Sequence, residues 1–168
     1  LVILRKKIAG LSPSTLEHFI LRARRAIRLP RAVNVLVTGS RELRSLNRQF
    51  RGKDKPTDVL SFSPLVAGNS GKEVAGDLAI SADIAQENAK RLGHPVAEEI
   101  KILVLHGILH LAGFDHEKDN GEMARQERRL RRRLKLELGL IDRVKSGDHQ
   151  ASNRARPTPR RSAGRKTA

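Results

Sequence analysis

The amino-acid sequence predicts a small layered domain that mixes strands with helices, of the α/β or α+β kind. Short runs rich in β-branched residues alternate with segments of helical period, and Pro, Gly or a capping side chain stands at most of the boundaries. A length of 168 residues suits one ordinary domain with a core of its own. With aromatic content at 2% and neither Trp nor Tyr, that core must be built from Leu, Ile, Val, Ala and the 4 Phe.

Leu1 to Leu4 is a short apolar run followed by Arg5, Lys6 and Lys7, the reverse of the order in a secretory signal, so a cytoplasmic location is the expectation. Ser12 is placed to cap a helix with Pro13 at its first position; Leu16, Phe19, Ala23 and Ile27 follow at helical spacing, and Pro30 ends it. The β-branched segment AVNVLVT at 32–38 reads as a strand. Ser40 is expected to cap the next helix, which carries Leu43, Leu46 and Phe50, and the loop RGKDKPT follows it. DVLSFS at 58–63 and GDLAIS at 76–81 are two further strands, joined through a flexible turn at Gly68, Asn69, Ser70 and Gly71.

Ser81 then caps a helix that runs to Leu92. Pro95 opens another, with Glu98 and Glu99 in the first turn where the helix dipole favours acids, and Gly113 stops it just past Ala112. From Gly121 to Leu138 a last amphipathic helix turns Met123, Leu130, Leu134 and Leu138 inward and its arginines outward. The sequence holds no internal repeat.

Composition narrows the chemistry. Having no cysteine excludes disulfides, thiolate ligands and thiol catalysis, so a transition-metal site must use His and carboxylate. The longest apolar stretch, Ile102 to Phe114, is interrupted by histidine and is too short for a bilayer, which needs about 20 residues. A formal charge of +16 attracts polyanions, nucleic acid first among them. Part of it belongs to a segment rich in Arg, Pro, Ser and Thr, expected to be disordered, so the chain divides into a domain over 1–146 and a basic tail over 147–168. The domain stays basic without the tail, because Arg128, Arg129, Arg131, Arg132, Arg133 and Lys135 crowd the last helix.

The segment LVLHGILHLAGFDH carries the chemistry. His106 and His110 stand four apart, one turn along one helix face, where both reach a single ion. Gly113 can take the left-handed conformation that reverses the chain and returns His116 as a third ligand. Three nitrogens and an open position make the usual form of a catalytic zinc site. Two imidazoles on a helix that is apolar on nearly all sides need partners, and one ion satisfies both. The spacing matches the zincin protease motif HExxHxxGxxH except that Gly107 stands where those proteases carry their general base, which disfavours peptide hydrolysis by that route.

HGILHLAGFDH, together with LNRQFRGKDKPTDVLSF at 46–62 and GDLAIS at 76–81, resembles the YbeY family of metal-dependent endoribonucleases. The resemblance covers most of residues 33–138 and leaves out the tail. It implies an α+β domain in which a small mixed sheet packs against helices, with the apolar metal helix at its centre and a cleft between that helix and the two strands, bordered by the Arg51 loop. It implies a single-strand-specific endoribonuclease acting in 3′-end maturation of small-subunit (16S) ribosomal RNA and in ribosome quality control. Its partners would be single-stranded RNA, ribosomal RNA and the small subunit, with no membrane. The implied cofactor is one zinc ion on His106, His110 and His116, although nickel and copper also accept imidazole. The family's functional arginine falls on Arg51.

A guanidinium suits that role because it grips a phosphate bidentately and stabilises charge developing on it. Lys53 and Lys55 are expected to steer phosphates. Asp115 and Glu117 flank the third ligand without a catalytic assignment, and Met123 reads as core. Two other functions fit the same residues. One is a non-catalytic ribosomal-RNA-binding assembly factor with a structural metal, which requires a closed shell with a fourth protein ligand. The other is a peptidase whose base comes from elsewhere in the chain.

Overall fold

A computed structural model describes residues 1–64 and 74–136. Along these residues run β1 (Val2–Leu4), α1 (Pro13–Ala26), β2 (Ala32–Thr38), α2 (Ser40–Arg51), β3 (Val59–Phe62), β4 (Val74–Ser81), α3 (Ala82–Leu92), α4 (Val96–Leu111) and α5 (Glu122–Leu134). The sheet order is β1-β2-β4-β3. β1 and β2 pair in parallel, as do β2 and β4, while β3 runs antiparallel to β4. The sheet is therefore small and mixed, and the fold is α+β as the family resemblance implies.

The alternation of side chains along each strand divides the core. Val33, Val35 and Val37 of β2 and Leu78 and Ile80 of β4 face the larger core, built with Leu16, Phe19, Ile100, Leu103, Val104 and Ile108 of the helices. Leu60, Phe62 and Ala79 point the other way, onto Leu43 and Leu46 of α2. The apolar helix α4 packs against α1, α3, α5, β3 and β4, and from Ile102 to Leu109 every residue is buried. A helix without a polar side belongs at the centre of a fold, and α4 is there.

Local chemistry explains most boundaries. Ser12 Oγ accepts from the Thr15 amide with Pro13 inside the helix start, and Ser81 Oγ accepts from the Ile84 amide at the start of α3. Gly113 at φ +94° ends α4. The amide of Phe114 returns to the Leu109 carbonyl at 3.1 Å and that of Gly113 to the His110 carbonyl at 3.0 Å, the paired bonds of a Schellman ending.

Several expectations need correction. Ser40 does not cap α2: the cap position is Gly39, and the Ser40 amide and hydroxyl donate to Oδ2 of Asp83 at 2.8 and 3.1 Å. A carboxylate from α3, distant in sequence, thus supplies the acceptor that α2 lacks locally. Arg51 is the last residue of α2 rather than the first of a loop, and Gly52 closes the helix at φ +66°. α1 ends at Ala26, ahead of Pro30, whose carbonyl accepts from Arg24. The run at Leu1 to Leu4 contains a strand, paired with Val35 to Val37 at the edge of the sheet. β4 begins at Val74.

In α5 not every arginine faces outward: Arg131 is 2% exposed, on the same face as Met123, Leu130 and Leu134. α5 closes at Leu134 with Lys135 left-handed at φ 59°. Leu138, the turn at Gly68 to Gly71 and the tail over 147–168 lie outside the described residues. Among the described residues no helix is long and apolar enough to cross a membrane.

Candidate metal centre

The centre is built on the last two turns of α4 and the reversal after it. His106 is buried, His110 half-buried and His116 exposed, so the trio grades from the core to the mouth of a cleft. Ligating nitrogens of all three lie within 4.8 Å of one another. Ring centroids are 4.8 Å apart for His106 and His110, 5.3 Å for His106 and His116, and 5.2 Å for His110 and His116. The chain reversal at Gly113 brings the third imidazole over the same helix face, as the spacing predicts.

Protonation follows from what holds the far side of each ring. Nδ1 of His106 lies 3.0 Å from Oε2 of Glu127, and Nδ1 of His110 lies 3.0 Å from the Phe114 carbonyl. Both partners accept, so each neutral ring carries its proton on Nδ1 and turns the lone pair of Nε2 inward. The two Nε2 atoms are 3.2 Å apart. Two lone pairs at that distance repel rather than bond. Two nitrogens about 2.0–2.1 Å from one tetrahedral ion are themselves separated by about 3.4 Å, so the pair fits a shared cation. Burial, reinforced by the nearby His106 and His116 rings, lowers the pKa of His110 and keeps it in the neutral, ligating form. An all-imidazole donor set suits a borderline divalent ion.

The trio opens on a cleft of about 760 Å³. Strands β3 and β4 contribute Val59, Ser61, Phe62 and Ala75, the α2 terminus contributes Phe50 and Arg51, and Arg31 joins them. Arg51 donates from Nη2 to the Ser61 carbonyl at 3.3 Å, which sets its guanidinium along the cleft wall. Lys53 and Lys55 follow Gly52, exposed, and are not among the residues that line the cleft. Asp115 and Glu117 line it, but the Asp115 carboxylate accepts from the Glu117 amide and pairs with Lys118, which holds its pKa below the usual carboxylate range. Met123 is fully buried in the core. Among the described residues, His106, His110 and His116 form the metal-competent group without a fourth His, Asp or Glu.

Gly107 has a steric reason. A Cβ there would meet Leu78 Cδ2 at 2.7 Å and Ser61 Oγ at 3.3 Å, because α4 presses this face onto the sheet. At the position that holds the general base in zincin proteases, a side chain here would have to displace the buried Leu78 side chain.

Sequence reasoning did not find Glu127. Its signal was present: Met123, Leu130 and Leu134 form the inward stripe of α5, and Glu127 stands on that stripe, 1% exposed. An acid amid a buried stripe calls for a partner. Phe50 and Arg31 as cleft residues carried no such local signal.

Known proteins resemble this chain over most of its length. The family model described as endoribonuclease YbeY matches residues 6–135. A Koribacter versatilis protein named endoribonuclease YbeY is 53% identical over 154 residues, 92% of this chain and 98% of that relative. One of the same name from Solibacter usitatus is 46% identical over 86% of this chain and 95% of its own. Among solved structures, a Thermotoga maritima protein studied in solution aligns at a TM-score of 0.53 and 27% identity, over 94% of this chain and 100% of its own.

Proposed function

This chain belongs to the endoribonuclease YbeY family, and on that premise we propose that it is a metal-dependent endoribonuclease that cuts single-stranded RNA. The observation that carries the reading is the pair of Nε2 atoms 3.2 Å apart, joined by His116 at the mouth of a cleft walled by arginine. Zinc is the ion we assign, one per chain. When bound it supplies a Lewis acid for a phosphate oxygen and lowers the pKa of a coordinated water towards 7.

The chain's own residues do the rest. His106, His110 and His116 would hold the ion, and all three also line the cleft. Glu127 and the Phe114 carbonyl keep two of the rings in the ligating tautomer. Arg51 binds the scissile phosphate through its planar fork and offsets charge that builds on the phosphate oxygens. Arg31 stands on the same cleft as a second phosphate contact, while Lys53 and Lys55 attract the strand from outside it.

Within the cell we assign the enzyme to the cytoplasm, to 3′-end maturation of small-subunit (16S) ribosomal RNA and to ribosome quality control, with the small subunit as partner. The basic tail over 147–168 adds affinity for RNA without selectivity. The assembly-factor reading needs a fourth protein ligand, and the described residues offer none in the cluster. Crowding at Gly107 weighs against a peptidase of the zincin type; one whose base comes from elsewhere in the chain would cleave a peptide panel and leave RNA intact.

The test is direct. Purified protein should cut an unstructured RNA, leave a duplex of the same sequence intact, and carry zinc by emission spectroscopy. His110→Ala should lose both metal and cleavage; RNA cut at the parental rate by metal-free protein would refute the proposal.

A further inference from the structure

We propose that Phe50 is a stacking platform for a nucleobase of the RNA strand and so a source of single-strand selectivity; the inference rests on the endoribonuclease reading above. The chain holds 4 Phe and no Trp or Tyr. Three of the four, Phe50, Phe62 and Phe114, line the cleft of the metal centre. An aromatic-poor chain that gathers its rings at one cleft has placed π-faces beside the reacting centre.

Phe50 differs from the rest. Phe19 and Phe62 are buried at 5% and 9% exposure, whereas Phe50 is 42% exposed, among the few large apolar residues that face solvent. It is held rather than loose: its ring meets Phe62 edge to face, with centroids 5.2 Å apart and planes at 65°. One ring braced against another presents a fixed face.

Its neighbours suit a nucleotide. Arg51, next in sequence, is anchored to the carbonyl of Ser61, the residue beside Phe62. A guanidinium for phosphate and a ring for base therefore stand on adjacent residues, the pairing used by proteins that bind single strands. Phe50 and Phe62 also line a second recess of about 240 Å³, with Leu36, Leu46, Leu78 and Asp77, so a mostly apolar pocket with one carboxylate residue adjoins the ring pair beyond the metal cleft. Arg48 and Arg51 make the last turn of α2 basic. A protein partner would need about 800 Å² of matched surface per side, and one exposed ring in a basic setting is too small an anchor for that. A base within a duplex has neighbours on both faces, so only an unstacked strand can lay one on Phe50.

The experiment uses the full chain and a short unstructured RNA carrying one 2-aminopurine, whose fluorescence falls on stacking. Phe50→Ala should weaken binding about five- to hundred-fold, raise KM more than it lowers kcat, and remove the quench. Phe50→Trp should restore all three. The dependence of affinity on salt should stay parental in both, since no charge changes, and should become shallower in Arg51→Ala. Parental binding and quench in Phe50→Ala would overturn the inference. So would a defect confined to association with ribosomal particles while naked RNA is handled normally, because that would make Phe50 a protein contact. The two readings fail separately: cleavage indifferent to Phe50 sinks stacking alone, and RNA bound and quenched but never cut sinks the nuclease reading alone.

Discussion

The Nδ1 atom of His106 stands 3.0 Å from Oε2 of Glu127, a carboxylate that is 1% exposed and comes from a helix 21 residues further along the chain. This contact decides which nitrogen of the most buried imidazole carries its proton, and so which one turns its lone pair towards the other two rings. Glu127→Ala should lower zinc affinity about 10–100-fold, as loss of such an outer partner does, while Glu127→Gln, which keeps an acceptor, should lose less. Competition against a graded chelator measures both. Equal affinity in Glu127→Ala and the parent would mean that the carboxylate does not tune the ring.

Gly107 bears on the peptidase question. Introducing Glu there, as the zincin motif would have it, forces a side chain against Leu78 and buries a carboxylate beside the sheet. We expect Gly107→Glu to destabilise the fold by about 1–3 kcal/mol or more and to yield no peptidase. Denaturant melts and a peptide panel check the two halves. A stable variant that cleaves peptides would show that α4 has more freedom than its packing suggests.

Under the proposed function a change at Arg51 would separate chemistry from metal binding, since Arg51 lies on the cleft wall and outside the histidine cluster. Arg51→Ala should cut single-stranded RNA about 10²-fold more slowly, the usual cost of removing one donor to a charged transition state, with zinc content unchanged. Arg51→Lys should recover little, because an ammonium cannot make the paired contact. Single-turnover rates on saturating RNA read this without interference from affinity.

Asp83 links the start of α2 to α3. Its carboxyl is held below its ordinary value of 3.8, first by the hydrogen bond from Lys6 and then by the Ser40 amide, against a weaker upward push from burial. The folded pKa is lower than the unfolded one, so this stabilisation is complete above the ordinary carboxylate range and drains away as pH falls through it. Asp83→Ala should therefore be less stable by about 1 kcal/mol at neutral pH, the worth of a helix cap, with the gap to the parent closing in acid. Denaturant titrations at neutral and acid pH test the sign as well as the size.

Much of this protein was legible locally. The HGILHLAGFDH pattern places two imidazoles one turn apart and a glycine where the third must return, and these are properties of helix period and backbone sterics that need no tertiary partner. Capping at Ser12 and Ser81 and the central burial of α4 follow from the same short-range physics. Ser40 misled because its environment is set by Asp83, 43 residues away. Arg131 misled because a side chain's charge says where it prefers to be, while its helix face decides where it is.

Local spacing could bring His106 and His110 to one ion, but only tertiary packing could bring Glu127 to His106, set Phe50 against Phe62 and press Gly107 onto Leu78. Those contacts join elements far apart in the chain. Their geometry comes from how helices pack on the two faces of a mixed sheet, a relation that residue order alone does not encode within any short window.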